Sequence, residues 1–295
     1  MKLKKIILVG GNGFVGQNFQ KLIPAEFACI HVLPDEPLNL DCDVVIHLAA
    51  IADTRKKDIT YEEYFEVNAN LAIKVFDAFL VSSARKFIFL SSAKAITEFS
   101  STLITEELME QPQTFYGRSK LAADRYISAC TLPVDKLVYI LRPPLITGYG
   151  AKGNLKVFNR FSQGPLGWLF LAFTSRRSFC NIKNLAFVTD QLINRADIPS
   201  GTYLVADDTP LSAADLHLIF SKGRRPLFFD FLRRISLLFI WFVRSFAFLL
   251  NIKRVNDYLM TLNGTYIVSN RKIVDALGLP LPFSSEEGVQ SFVKE

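Results

Sequence analysis

Tyr116 and Lys120 stand four residues apart in Tyr116-Gly117-Arg118-Ser119-Lys120. On a helix that spacing puts both side chains on one face, one turn apart. A phenol with an ordinary pKa of about 10 is a poor base at neutral pH. A neighbouring ammonium stabilises the phenolate and draws its pKa toward the working range. Ser92, which follows the apolar run Phe87-Ile88-Phe89-Leu90, is placed to hydrogen-bond the same reacting oxygen. The trio suits proton transfer at a hydroxyl or carbonyl oxygen. Tyr and Lys at this spacing also arise on ordinary surface helices, so context decides.

A second cluster supplies that context. Gly10, Gly13 and Gly16 lie in Val9-Gly10-Gly11-Asn12-Gly13-Phe14-Val15-Gly16, directly after the strand-like run Ile6-Ile7-Leu8-Val9. Such a turn brings backbone N–H groups and a helix N-terminus up to a pyrophosphate. The pattern therefore predicts dinucleotide binding. An acid about 20 residues further on holds the ribose 2′-hydroxyl in such sites; Asp35, with Glu36 beside it, fits. No Arg or Lys stands between Ile30 and Asp43 to receive a 2′-phosphate. NAD is favoured over NADP.

The elements that must position these residues are short apolar runs alternating with helical patterns. Val44 to Leu48, Phe87 to Leu90 and Leu137 to Leu141 read as strands buried on both faces, whereas 61–81 and 116–129 read as helices. The alternation predicts an α/β fold, a Rossmann-type doubly wound parallel sheet. Residues 1–150 are expected to form the NAD-binding domain, with a return at about 177–206. Residues 151–295 are expected to form mainly a smaller C-terminal substrate-binding lobe. It opens on a Gly- and Pro-bearing loop from Gly148 to Gly167 and includes an apolar, basic region at 226–254.

Composition narrows the function classes. The chain has 295 residues, 50% of them hydrophobic and 21% charged, which excludes disorder. Its net charge is +6, yet residues 222–254 hold eight basic residues and one acid, +7 in all, leaving −1 for the rest. A generally polycationic nucleic-acid binder is thereby excluded. Cys29, Cys42, Cys130 and Cys180 are scattered, as expected of free thiols in a reducing cytosol. His31, His47 and His217 have no neighbours at ligand spacing, so no metal is expected. The apolar run at 6–9 is too short for a signal peptide.

The sequence resembles the extended short-chain dehydrogenases, the NAD-dependent sugar-nucleotide epimerases and dehydratases. The glycine turn, Asp43-Val44-Val45-Ile46-His47-Leu48-Ala49-Ala50, Val67-Asn68, Ser91-Ser92-Ala93, Tyr116 to Lys120, Arg142-Pro143-Pro144 and Arg177-Ser178-Phe179 succeed one another in the family's order. The resemblance implies that Ser92, Tyr116 and Lys120 are catalytic. Tyr116 would take the proton of a sugar hydroxyl as hydride moves to the nicotinamide, and Lys120 would also bind the nicotinamide ribose. Phe14, Val15, Leu48, Ala49, Ala50, Asn68 and Pro143 would line the cofactor groove with Gly10, Gly13, Gly16 and Asp35. Ser92, Lys94, Tyr116, Asn154, Arg177 and Arg254 would face the substrate, the two arginines gripping a nucleotide diphosphate, ordinarily a uridine diphosphate sugar. Solvated surface positions are the alternative for both arginines.

Departures from the family pattern are informative. Dehydratases of the family carry Asp-Glu after the serine or threonine; here Ala93-Lys94 follow, which disfavours 4,6-dehydration. Ala95-Ile96-Thr97 replaces Val-Tyr-Gly, and this looks like the bacterial polysaccharide-cluster branch of UDP-sugar 4-epimerases and 4-reductases. Only 26 residues separate Gly16 from Asp43, where the family fits a strand, a helix and another strand. The expected activity is 4-epimerisation of a nucleotide-linked sugar. The alternatives are a 4-keto-sugar reductase, an epimerase of polyprenyl-diphosphate sugars at a membrane, and a non-catalytic NAD-sensing protein. The family also implies a homodimer through helices 61–81 and 116–129.

Leu227 to Leu250 has 18 apolar residues of 24, but its longest uncharged run, Ile235 to Val243, is nine residues. A span needs about 20. The arginines gather on one side of a helical wheel, so core packing, a subunit contact and attachment to a membrane interface all remain open. Gly164 to Phe173 adds a second apolar patch.

Overall fold

The computed structural model describes residues 3–32, 38–52, 59–151, 154–164, 167–173, 175–221, 234–239, 241 and 264–293. The first half contains strands β1 (Lys5–Val9), β2 (Glu26–Ile30), β3 (Val44–His47), β4 (Lys86–Leu90) and β5 (Leu137–Arg142). Its helices are α1 (Phe14–Leu22), α2 (Tyr61–Phe65), α3 (Leu71–Val81) and α4 (Phe115–Ala129). A π-helical turn, Glu66–Asn70, joins α2 to α3. Then follow β6 (Leu145–Thr147), α5 (Asn154–Ser162), β7 (Arg176–Arg177), β8 (Phe179–Asn181), α6 (Ile182–Asn194), β9 (Gly201–Leu204), β10 (Leu211–Ser212) and α7 (Ala213–Phe220). Helices α8 (Arg271–Leu277) and α9 (Ser285–Val293) come last.

Six strands form one parallel sheet in the order β2-β1-β3-β4-β5-β9. Its strands are apolar throughout because both faces are covered, and successive side chains enter opposite cores. Ile6, Leu8, Ile88, Leu90, Tyr139 and Leu141 pack with α1, α6 and α8. Ile7, Val9, Phe87, Phe89, Val138 and Ile140 pack with α3 and α4. Two buried lysines tie the layers at the strand starts. Lys86 Nζ donates to the carbonyls of Leu192, Ile193 and Arg195 at the end of α6, at 2.6–2.9 Å. Lys136 Nζ does the same for Phe79, Ser82 and Ala84 at the end of α3, at 2.7–2.9 Å. Both satisfy orphan carbonyls with positive charge at a helix C-terminus.

The short 17–42 segment has a clear structural outcome. After α1 it builds one strand, β2, and no strand lies outside β2 among the described residues. Val32, Leu38, Leu40 and Cys42 then pack into the α3–α4 side of the core, where a crossover helix would otherwise lie. The Gly148 to Gly167 region is not the plain loop expected from its Gly and Pro content, since it carries the amphipathic α5. The apolar patch at 164–173 contains a 3-10 helix, Gly167–Ala172, with Leu171 and Phe173 buried.

A third core of Leu155, Phe179, Leu211, Leu216, Phe220, Val289 and Phe292 underlies the second half, and Phe14 joins it to the sheet. Of the apolar basic region, 234–239 and 241 are described, and they are helical; the rest lies outside the described residues. No helix among the described residues is long and apolar enough to cross a membrane.

Candidate functional site

Strand order reverses between β1 and β3, which opens a crevice at the carboxyl ends of the strands. The glycine turn fills one wall. Gly10 has φ +89, and a Cβ there would lie 2.6 Å from Ala49 N, so only glycine lets the turn close against Leu48 and Ala49 after β3. Gly13 is the N-cap of α1, and no side chain caps that helix. Its first N–H groups are thus left for an anion. Gly16 packs on Gly11 within the first turn. Val15 and Leu48 pack against the core, and Phe14 reaches across to Gly148 and Gly150. These features fit a dinucleotide pyrophosphate.

Asn68 sits in the π-helical turn, fully buried, with its amide used within the protein. It accepts from Ile51 N at 2.7 Å and donates to Ile51 O at 3.1 Å and to Ser119 Oγ at 3.0 Å. Ser119 Oγ in turn donates to Tyr116 O at 2.9 Å. Asn68 therefore fastens the end of the β3 loop to helix α4. A π turn inside an α-helix is a frequent mark of a functional position.

The opposite wall is the seam between β4 and α4. Three consecutive residues at the end of β4 engage three positions of one helix face. Leu90 O accepts from Lys120 Nζ at 2.8 Å, Ser91 Oγ donates to Asp124 Oδ2 at 2.8 Å, and Ser92 Oγ meets the Tyr116 phenol. Ala93 N donates to Pro143 O at 2.9 Å, which fixes the serine turn to the end of β5. Glu98 closes the seam from the far side. It accepts from Gln113 N at 2.8 Å and Thr114 N at 3.0 Å, and Thr114 Oγ1 donates to it at 2.5 Å. Thr114 Oγ1 itself caps α4 by accepting from Gly117 N at 3.0 Å. A Cβ on Gly117 would stand 2.5 Å from Lys94 O and 2.8 Å from Glu98 Oε1, so this glycine is required by close approach.

The electrostatics differ from the simple expectation. Burial raises the Tyr116 pKa, the Ser92 hydrogen bond pulls it back, and Asp124 and Tyr64 push it further up. The net shift in this structure is upward, not the downward one expected of Lys120, because removing the phenolate from water outweighs the rest. Lys120 is 1% exposed and lies 4.8 Å from the Phe89 ring centre. Burial lowers its pKa to about 8, with Asp124 opposing. His47, beneath it, is pushed down to about 3 by burial and then by Lys120, so it is a neutral imidazole.

Beyond the serine turn, burial lowers Lys94, Glu98 raises it and Arg177 lowers it further. Arg177, half-buried on β7, donates through Nε to Gly264 O at 3.1 Å and feels Tyr266. Tyr266, buried, donates to Thr97 O at 3.0 Å; burial raises its pKa, and Glu98, Arg177 and Tyr116 all act on it. Lys94, Arg177 and Tyr116 are thus linked through Glu98 and Tyr266, and the sequence did not single out Tyr266. Asn154 begins α5, but its side chain, like Asp35 and Arg254, lies outside the described residues.

A parallel doubly wound sheet with a glycine turn after β1 and a Tyr–Lys helix beside a serine turn defines a dinucleotide-dependent oxidoreductase-type enzyme. A family model for the NAD dependent epimerase/dehydratase family matches residues 35–206, more than half of the chain. The chain belongs to that family and, with it, to the extended short-chain dehydrogenase enzymes that work with NAD. It is 28% identical over 246 residues to a UDP-glucose 4-epimerase of Vibrio cholerae, covering 72% of this chain and 74% of that one. The fold is shared with the UDP-glucuronic acid 4-epimerase of Bacillus cereus in complex with NAD: TM-score 0.70, 18% identity, 98% and 95% of the two chains covered. It is also shared with RMD from Pseudomonas aeruginosa complexed with NADPH: TM-score 0.68, 16% identity, 99% and 98% covered.

Proposed function

We propose that this enzyme inverts C4 of a UDP-linked hexose, N-acetylhexosamine or hexuronic acid, with NAD retained through the cycle. The observation that carries the reading is the Tyr116 phenol set against the Ser92 hydroxyl at the carboxyl end of β4, with the Lys120 ammonium buried one helical turn away. NAD supplies the hydride acceptor and donor at C4 when bound. Tyr116 takes the proton of the 4-hydroxyl, and Ser92 holds the same oxygen. The Lys120 charge favours the phenolate that forms. Lys94 and Arg177 place positive charge where a diphosphate would enter. The relatedness to a UDP-glucose 4-epimerase supports this choice of substrate class.

The test is incubation with UDP-glucose, UDP-N-acetylglucosamine and UDP-glucuronic acid, followed by proton NMR and absorbance at the NADH band. Inversion at C4 without net NADH change is expected. Tyr116→Phe is expected to lower kcat by about 10²–10⁴-fold, the usual worth of a positioned acid–base group. Net NADH oxidation with a 4-keto sugar would instead identify a reductase, and unchanged turnover in Tyr116→Phe would remove Tyr116 as the acid–base group.

One observation favours a cytoplasmic enzyme working at a membrane surface on lipid-linked sugar. In the described helical turn Ser236 is buried and donates to Trp168 O at 3.1 Å, while Leu237, Leu238, Phe239 and Trp241 (68% exposed) face outward. Such side chains insert into an interface whose anionic headgroups attract the +7 of residues 222–254. Flotation with phosphatidylglycerol vesicles, lost in Trp241→Glu, is the expected result; equal flotation of the variant overturns it.

A further inference from the structure

The seam between β4 and α4 contains a buried ionic group that the proposed reaction leaves without a role. Asp124 lies four residues beyond Lys120 and eight beyond Tyr116, on the same helix face. It is 1% exposed. Its Oδ2 accepts from Ser91 Oγ at 2.8 Å and from Arg142 Nε at 2.7 Å. Arg142, itself buried, donates through its other arm to Glu110 Oε1 at 2.5 Å. The second carboxylate oxygen, Oδ1, is buried and accepts no hydrogen bond. A carboxylate retained only to fix Ser91 and Arg142 would be expected to use both oxygens, because a bare buried oxygen is costly. This one keeps uncommitted negative charge within electrostatic range of Lys120 and Tyr116.

We propose that Asp124, with Ser91 and Arg142, is a positioning residue for the reaction: it supplies the counter-charge of the buried Lys120 ammonium and holds β4 and α4 in the register that sets Ser92 against Tyr116. The placement is fixed by three specific pairings, Leu90 with Lys120, Ser91 with Asp124 and Ser92 with Tyr116. Slippage of the strand end by one residue would place an unsuitable group opposite each. The charge argument follows from burial. Lys120 has the Phe89 ring and neutral His47 on one side and the Leu90 carbonyl on another, and Asp124 is the anion that acts on it. Tyr116 is faced by Ser92, Asp124 and Tyr64, and Arg142 and Glu110 complete the charged set. The inference about turnover rests on the epimerase reading; that about the charge of Lys120 does not.

The test uses the full chain carrying ¹³C-labelled lysine, with Lys120 assigned by its loss in Lys120→Met. In Asp124→Asn the midpoint of the Lys120 titration is expected to move down by about 1–3 pH units from about 8, the usual effect of removing a close opposite charge. With UDP-glucose as probe, kcat at pH 7 then falls about tenfold or more, KM changes little, and the alkaline limb of the pH profile moves down with the lysine. Ser91→Ala, a milder change that keeps the fold, is expected to lower kcat about threefold to tenfold while leaving the Lys120 midpoint in place. An unmoved Lys120 midpoint in a folded Asp124→Asn, or full kcat in Ser91→Ala, overturns the proposal. A wild-type chain inactive on every UDP-sugar with the lysine shift intact overturns the epimerase reading alone.

Discussion

Two buried carboxylates, Asp124 and Asp207, solve the same problem differently. Asp124 in the β4–α4 seam faces a guanidinium and an ammonium. Asp207, where β8, α6 and α9 meet, is held by neutral donors among the described residues. Its partners are Asn181 N at 2.8 and 2.9 Å, Asn184 Nδ2 at 2.7 Å and Ser285 Oγ at 3.0 Å. Burial raises the Asp207 pKa to about 6 because hydrogen bonds from neutral groups do not fully replace water around a charge. Burial raises the Asp124 pKa as well, but there Arg142, Ser91 and Lys120 work against it. The seam thus sets its carboxylate among cations, and the joint between the halves sets one among neutral donors, where it titrates near pH 6.

The largest break in that contrast should come from Arg142→Met. It leaves the Asp124 carboxylate buried without its guanidinium, and a stability loss of about 3–5 kcal/mol is expected in urea unfolding. A loss under 1 kcal/mol would mean that Asp124 does not depend on the pair. Gly117→Ala comes next. Its methyl would press on the Lys94 carbonyl, which is backbone and cannot swing aside, so about 1–3 kcal/mol of stability and a fall in kcat are expected together. An alanine variant as stable and as active as the parent would show that the seam is looser than its distances imply.

The smallest effect sharpens the comparison from the other side. Asp207 has a folded pKa of about 6, above the ordinary value of 3.8, so its protonated form favours the folded state. That contribution is full below about pH 4 and is lost as pH rises through about 6. Between pH 7 and pH 5 it should add about 1 kcal/mol of stability, and Asp207→Asn should remove that slope. Urea midpoints at the two pH values measure it. An Asn variant that keeps the parent's pH slope would assign it elsewhere.

Much of this arrangement is legible in the chain. Strands such as Phe87 to Leu90 announce themselves because both their faces are buried, and Tyr116 and Lys120 because helical spacing is fixed. Ser92 follows from its place after a strand. The brevity of residues 17–42 also announces its consequence, an edge strand with no neighbour beyond it among the described residues. Asp124, Glu98 and Tyr266 give no such signal. Their roles depend on partners 15 to 169 residues away, as in Glu98 to Gln113 and Tyr266 to Thr97. Helix α5 is hidden for a local reason: glycines and a proline on either side mask a short amphipathic stretch. The direction of the Tyr116 shift depends on burial, which spacing cannot report.

The sheet's sixth strand has a consequence for synthesis of the protein. Ile198, Tyr203 and Val205 around β9, and Ile273, Leu277 and Leu281 around α8, belong to the same core as β1 and β5. The first five strands therefore leave the ribosome before the residues that cover Tyr139 and Leu141. At about 5–20 residues per second, the interval between β9 and the end of α8 lasts about 4–15 s. During that interval a nascent chain carries a complete glycine turn and the Tyr116 helix on a half-covered sheet. Its exposure to aggregation, and its need for a chaperone, should be greatest in that window rather than at any stage of the finished enzyme's life.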